Sequence, residues 1–164
     1  MPAVDHLSPP ARAAALDVLV LVSWADGWVS PAELSAVRGA AVALALVDPL
    51  DGACGALVEN PRAPTEAELA ALSPRERHIL LAAGAWMTLV DETRTPSEAR
   101  ALDELARRAG LDDEAAELLF DIARWVRLVR PRASTTWAGE FERLVCVTDG
   151  ALGPVGPPPR RAAG

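Results

Sequence analysis

Two stretches of the chain are apolar on every helical face. The first runs through Leu16, Val18, Leu19, Val20, Leu21, Val22 and Trp24, and the second through Ile79, Leu80, Leu81, Trp86, Met87, Leu89 and Val90. A helix that is apolar all round offers no face to water, so both are predicted to be central helices of a helical core. A third stretch, from about Asp113 to Val129, carries Leu118, Leu119, Ile122, Trp125, Val126 and Val129 on one stripe at helical spacing, with Glu117, Asp121, Arg124 and Arg127 opposite. That stripe is predicted to lie over the central pair. No segment alternates apolar and polar residues with the period of a strand, so the predicted class is all-α, with about seven or eight helices.

The polar punctuation agrees with this division. Ser8-Pro9 and Ser73-Pro74 pair an N-cap hydroxyl with a proline at the first helical position, where the missing amide is no loss and φ is already set. Ser30-Pro31-Ala32-Glu33, Thr95-Pro96-Ser97-Glu98 and Ser73-Pro74-Arg75-Glu76 have the form of capping boxes, and so does Thr65-Glu66-Ala67-Glu68, which opens a short helix. Second helices are expected from about Pro31 to Leu46 and from Pro96 to Ala109. The latter stops at Gly110-Leu111, a glycine with an apolar residue behind it, and Asp112 can cap the helix that follows. Pro49 to Pro64 is a connector with one helical turn expected near Ala53 to Val58. A last helix is expected over Thr135 to Thr148. The domain is bounded at residues 1–149, and residues 150–164, rich in Pro and Gly, form a tail expected to hold no fixed shape.

The two halves share one grammar. Shifting the sequence by 65 positions aligns Leu7 through Asp48 with Leu72 through Asp113 without a gap, and twelve of the 42 pairs are identical. Only two of the twelve are Ala pairs, and the others sit at caps, turns and core positions. The chain is read as an internal duplication with pseudo-two-fold symmetry.

Composition narrows the partners. The 164 residues suffice for a single core, and a net charge of -7 disfavours nucleic acid, whose phosphates supply most of such affinity through a basic face. The nearest such face, Arg124, Arg127, Arg130 and Arg132, is read as solvated. Cys54 and Cys146 match no metal spacing and are read as small core residues in a reducing compartment. With neither a secretory signal pattern nor an apolar run of membrane-spanning length, the expected location is the cytoplasm, without membrane insertion.

One feature of the repeat is chemical. Asp26 and Asp91 stand at the C-terminal ends of the central helices, where the helix dipole is negative and an acid costs from a few tenths up to about 1 kcal/mol. A cation there would reverse the sign. Asp26 and Glu33 in the first turn, with Asp91, Glu92 and Glu98 in the second, are therefore candidate ligands for a hard divalent cation, calcium or magnesium. The structural alternative is that the glutamates only close capping boxes and that Asp26-Gly27 is a turn dipeptide with Gly27 left-handed. The spacing is not that of an EF-hand, whose third and fifth ligand positions are missing. Asp149-Gly150-Ala151-Leu152-Gly153-Pro154 echoes the first turn but lacks its glutamate.

The segment Ala25-Asp26-Gly27-Trp28-Val29-Ser30-Pro31-Ala32-Glu33 resembles the pattern A-D-G-x-[VI]-x-x-x-E of the tellurite-resistance TerB family and of the related domain in DnaJ-like membrane co-chaperones. The second turn departs from it, with Glu92 in the place of Gly27 and Arg94 in that of Val29. The resemblance spans roughly Leu7 to Val129. It implies a duplicated, all-helical domain whose acidic residues are suspected of binding metal ions, in stress-response or membrane-associated assemblies, with a protein partner. An enzyme would need a nucleophile beside a base. The chain has no Tyr, only His6 and His78 among histidines, and neither a phosphate-binding glycine loop nor a His/Cys cluster. It is read as a non-enzymatic module, a cation binder or, alternatively, a purely structural interaction scaffold.

Overall fold

The computed structural model describes residues 3–46, 61–91, 94–129 and 136–153. Within them a short 3-10 turn, Ala3–His6, precedes seven α-helices: α1 Pro9–Ser23, α2 Pro31–Ala43, α3 Glu66–Ala71, α4 Pro74–Met87, α5 Pro96–Arg108, α6 Asp113–Leu128 and α7 Trp137–Ala151. No strand occurs among the described residues, so the chain is all-α.

Every helix start follows from a side chain that satisfies its orphan amides. Ser30, Thr65, Ser73 and Thr95 each close a complete capping box with the glutamate three residues on. Ser8 has Ala11 at that position instead, and Glu76 of α4 fills the role. The Ser8 amide donates to Glu76 Oε1 at 3.0 Å while the Ser73 amide donates to Oε2 at 2.9 Å, so one carboxylate caps two helices.

Helix ends recur at the 65-residue offset. The Leu46 amide donates to the Ala41 carbonyl at 3.0 Å and the Leu111 amide to the Ala106 carbonyl at 2.9 Å, closing equivalent turns after α2 and α5. The residues that allow them, Ala45 at φ 56° and Gly110 at φ 71°, are both left-handed. Arg12 Nη1 donates to the Leu44 carbonyl at 3.4 Å, and Arg77 Nη1 to that of Ala109 at 3.2 Å.

The core is built around α1 and α4, which pack along one another. From Ile79 to Met87 every residue of α4 is buried. Close approach is helped by Gly84, which faces Val18 and Leu102 and where a β-carbon would stand 2.7 Å from the tip of Leu102. Helix α6 packs on α4, and α7 packs against α2, α4 and α6. Trp86, fully buried, meets Trp137 and Phe141 of α7 edge-to-face, with ring centroids 5.9 and 5.6 Å away.

Four expectations need correction. On α6 only Leu119, Ile122, Ala123 and Val126 are buried. Leu118, Trp125 and Val129 of the expected stripe are exposed, as is Leu128, because α6 is covered by α4 and α7 on one side only. Cys146 is exposed on α7 rather than a core residue, and Cys54 lies outside the described residues. Arg127, expected on a solvated face, has a side chain only 9 % exposed. The last helix also continues past Thr148 to Ala151, held by Arg75, whose guanidinium pairs with the Asp149 carboxylate and donates to the carbonyls of Asp149 and Gly153. The helical turn expected near residues 53–58 and the tail from 154 onward lie outside the described residues.

Candidate functional site

The first acidic turn is shaped by local hydrogen bonds. Helix α1 ends at Trp24, the Gly27 amide returns to the Trp24 carbonyl at 2.9 Å, and Gly27 takes φ 85°. Asp26 Oδ1 accepts from the Trp28 amide at 3.0 Å, the short-range bond that makes Asp a turn residue. Glu33 is 3 % exposed, and its Oε2 accepts from the Ser30 amide at 2.7 Å. In the second turn Glu98, also 3 % exposed, does the same with the Thr95 amide at 2.6 Å. The capping reading of both glutamates and the turn reading of Asp26-Gly27 therefore describe real bonds. Glu92 lies outside the described residues.

The fold brings the two turns within each other's electrostatic reach, although they are 65 positions apart in sequence. Burial pushes the Glu33 carboxyl above the ordinary carboxylate range. Its bonds with Ser30 oppose that rise, and the negative charges of Asp91 and Glu98 add to it. Glu98 behaves alike, raised by burial, opposed by Thr95, and raised further by Asp91 and Asp26. Four carboxylates, two from each turn, thus bear on one region. They do not close on a point: among the described residues no group of three or more His, Cys, Asp and Glu side chains is gathered as metal ligands would be. The donor set is chemically suited to a hard cation, and a cation would have to draw the turns together.

At the second turn the helix end has a cation of its own. Arg127 of α6 donates through Nε to the Leu89 carbonyl and through Nη2 to that of Val90, both at 3.2 Å, immediately before Asp91. A guanidinium there offsets the negative end of the α4 dipole. Its Nη1 reaches Glu140 Oε1 at 2.8 Å, and the same oxygen accepts from Trp86 Nε1 at 2.9 Å. The guanidinium also lies 5.1 Å from the Trp137 ring centroid. This buried knot of Arg127, Glu140, Trp86 and Trp137 escaped the sequence reading. Helical period assigns Arg127 to the polar side of α6, and nothing in period shows that α7 covers it. One available signal is Glu140, which stands one place beyond the capping-box position of α7, between Trp137 and Phe141 in an aromatic first turn.

The Asp149-Gly150 echo of the first turn is helical and paired with Arg75. His78, in the first turn of α4, bonds the Pro74 carbonyl through Nδ1 at 2.6 Å. No protein-family model, curated protein or solved structure matches the chain.

Proposed function

We propose that the chain is a non-enzymatic, TerB-like helical module that takes up calcium or magnesium between its two acidic turns and thereby tunes its contact with a protein partner, in a stress response or a membrane-associated assembly. The observation that carries this reading is that Glu33 and Glu98, both buried and 65 positions apart in sequence, each lie within electrostatic reach of acids in the other turn, Asp91 and Glu98 for Glu33 and Asp26 for Glu98. A fold that holds like charges together in part-buried surroundings is stabilised by whatever neutralises them. Carboxylates from both turns would supply the hard oxygen ligands, with the capping oxygens of Glu33 and Glu98 remaining on their amides.

The test is thermal melting of the full chain in calcium and in magnesium. A ligand of the native state raises stability by about 1.4 kcal/mol at ten times its Kd, hence Tm by about 3–5 °C. Glu98→Gln, which can still accept from the Thr95 amide, should keep the fold and weaken the metal response. A flat melting series and flat calorimetry in both metals overturn the cation reading. What then remains is the structural scaffold, favoured by the complete capping boxes and by the absence of a gathered ligand group among the described residues.

A further inference from the structure

Residues of α4, α5 and α6, with Arg94, line a cavity of about 320 Å³. Its floor is apolar, made by Leu81 and Ala85 of α4, Leu102 of α5 and Phe120 of α6. Its rim carries Asp103, Glu117 and Asp121, all exposed, and Arg94. Arg94 stacks on Phe120, its guanidinium carbon 4.7 Å from the ring centroid, and keeps its charge, so three carboxylates and one guanidinium leave the rim net negative. Among the described residues no ion pair neutralises the three rim carboxylates. An apolar floor below a rim that stays net acidic with Arg94 counted, on a chain of net charge -7, favours a cationic guest.

We propose that this cavity binds a small organic cation: an apolar body that covers Leu81, Ala85 and Leu102 beside the Arg94–Phe120 stack, with an ammonium or guanidinium head held by Asp103, Glu117 and Asp121. Size decides between a small molecule and a partner's helix. The volume lies at the lower end of the range for small-ligand pockets. The lining covers only residues 102–106 of α5 and 116–121 of α6, about 6–8 Å of helix at 1.5 Å per residue. A docked helix reading i, i+4 and i+7 anchors needs more than about 10 Å.

The probes are 4-phenylbutylammonium, the neutral 4-phenylbutanol and the anionic 4-phenylbutyrate, titrated by NMR into the isotope-labelled full chain at low ionic strength. The ammonium is expected to shift amides of residues 102–106 and 116–121, and to bind about three- to tenfold tighter than the alcohol, the scale of a few exposed ion pairs. The carboxylate is expected not to bind. Asp103→Asn, Glu117→Gln and Asp121→Asn together, all at exposed positions, should erase the preference for the ammonium and leave the alcohol unchanged. On the unmodified chain, raising ionic strength to about 0.3 M should erase most of it too, since salt screens exposed charges. The proposal is overturned if the ammonium binds no tighter than the alcohol, if its shifts fall elsewhere, if nothing binds up to the solubility limit, or if salt leaves the preference intact.

Discussion

Ala45 holds φ at 56°, a conformation that its β-carbon opposes by roughly 1–2 kcal/mol, at the place where the second half of the chain has Gly110. Glycine at residue 45 removes that strain but loses more entropy on folding, about 0.5–1 kcal/mol. Ala45→Gly is expected to stabilise by about 0.5–1 kcal/mol in urea unfolding, and Gly110→Ala to destabilise by about 1 kcal/mol. Glu33 and Glu98 give a second test, in pH. Their native carboxyls titrate above the unfolded value of 4.5, so between those two limits the native state binds more protons than the unfolded one. Stability from these groups is therefore complete at low pH and is lost as pH rises through the raised native value. Glu33→Gln, which keeps its capping bond, is expected to raise Tm at pH 7 by roughly 1–3 °C, with the gain shrinking to nothing near pH 4. A gain that persists unchanged in acid removes the buried negative charge as its cause. The caps themselves were legible residue by residue, because a Ser or Thr three places before a Glu acts within one turn and asks nothing of the rest of the fold.

Between elements the controlling distances are those at two glycines. A β-carbon on Gly39 of α2 would stand 2.4 Å from Trp137 Cβ and 2.8 Å from the Ala138 nitrogen, so α7 as a whole would have to retreat. At Gly84 the nearest atom is the tip of Leu102, at 2.7 Å, which can turn aside. Alanine favours a helix over glycine by about 1 kcal/mol, and overpacking outweighs this where backbone is in the way. Gly39→Ala is expected to cost about 2 kcal/mol or more by calorimetry, and Gly84→Ala about 1 kcal/mol. The same neighbour explains what the sequence could not disclose. Apolar runs marked α1 and α4 as central, since burial on all sides leaves its trace in the run itself. The fate of Leu118, Trp125 and Arg127 on α6 depends on where α7 lands. Helical period carries no information about that, so exposed leucine and buried arginine exchanged their expected places.

For the molecule as a whole, the Arg127–Glu140 pair ties together α4, α6 and α7 in a region with little water. Removing one partner of a buried pair typically costs about 3–5 kcal/mol. Arg127→Met is accordingly expected to lower Tm by about 6 °C or more. Adding Glu140→Gln to it should cost much less than Glu140→Gln does alone, which a double-mutant cycle reads directly. The acidic turns became legible through the 65-residue shift, which aligned them. Their mutual approach did not, because alignment says which residues correspond and not which ones meet. The expected duplication is open to a direct measurement, superposition of residues 7–46 on 72–111 in an experimental structure, where matching helix axes support it and divergent ones remove it. The seating of Trp137 against Gly39 also governs how the protein is made. Nearly a hundred residues separate the two contacts, and at about 5–20 residues per second a ribosome needs roughly 5–20 s to cross that interval. For that time the inner face of α2, with Ala36, Ala40 and Ala41, has been made but lacks the helix that covers it.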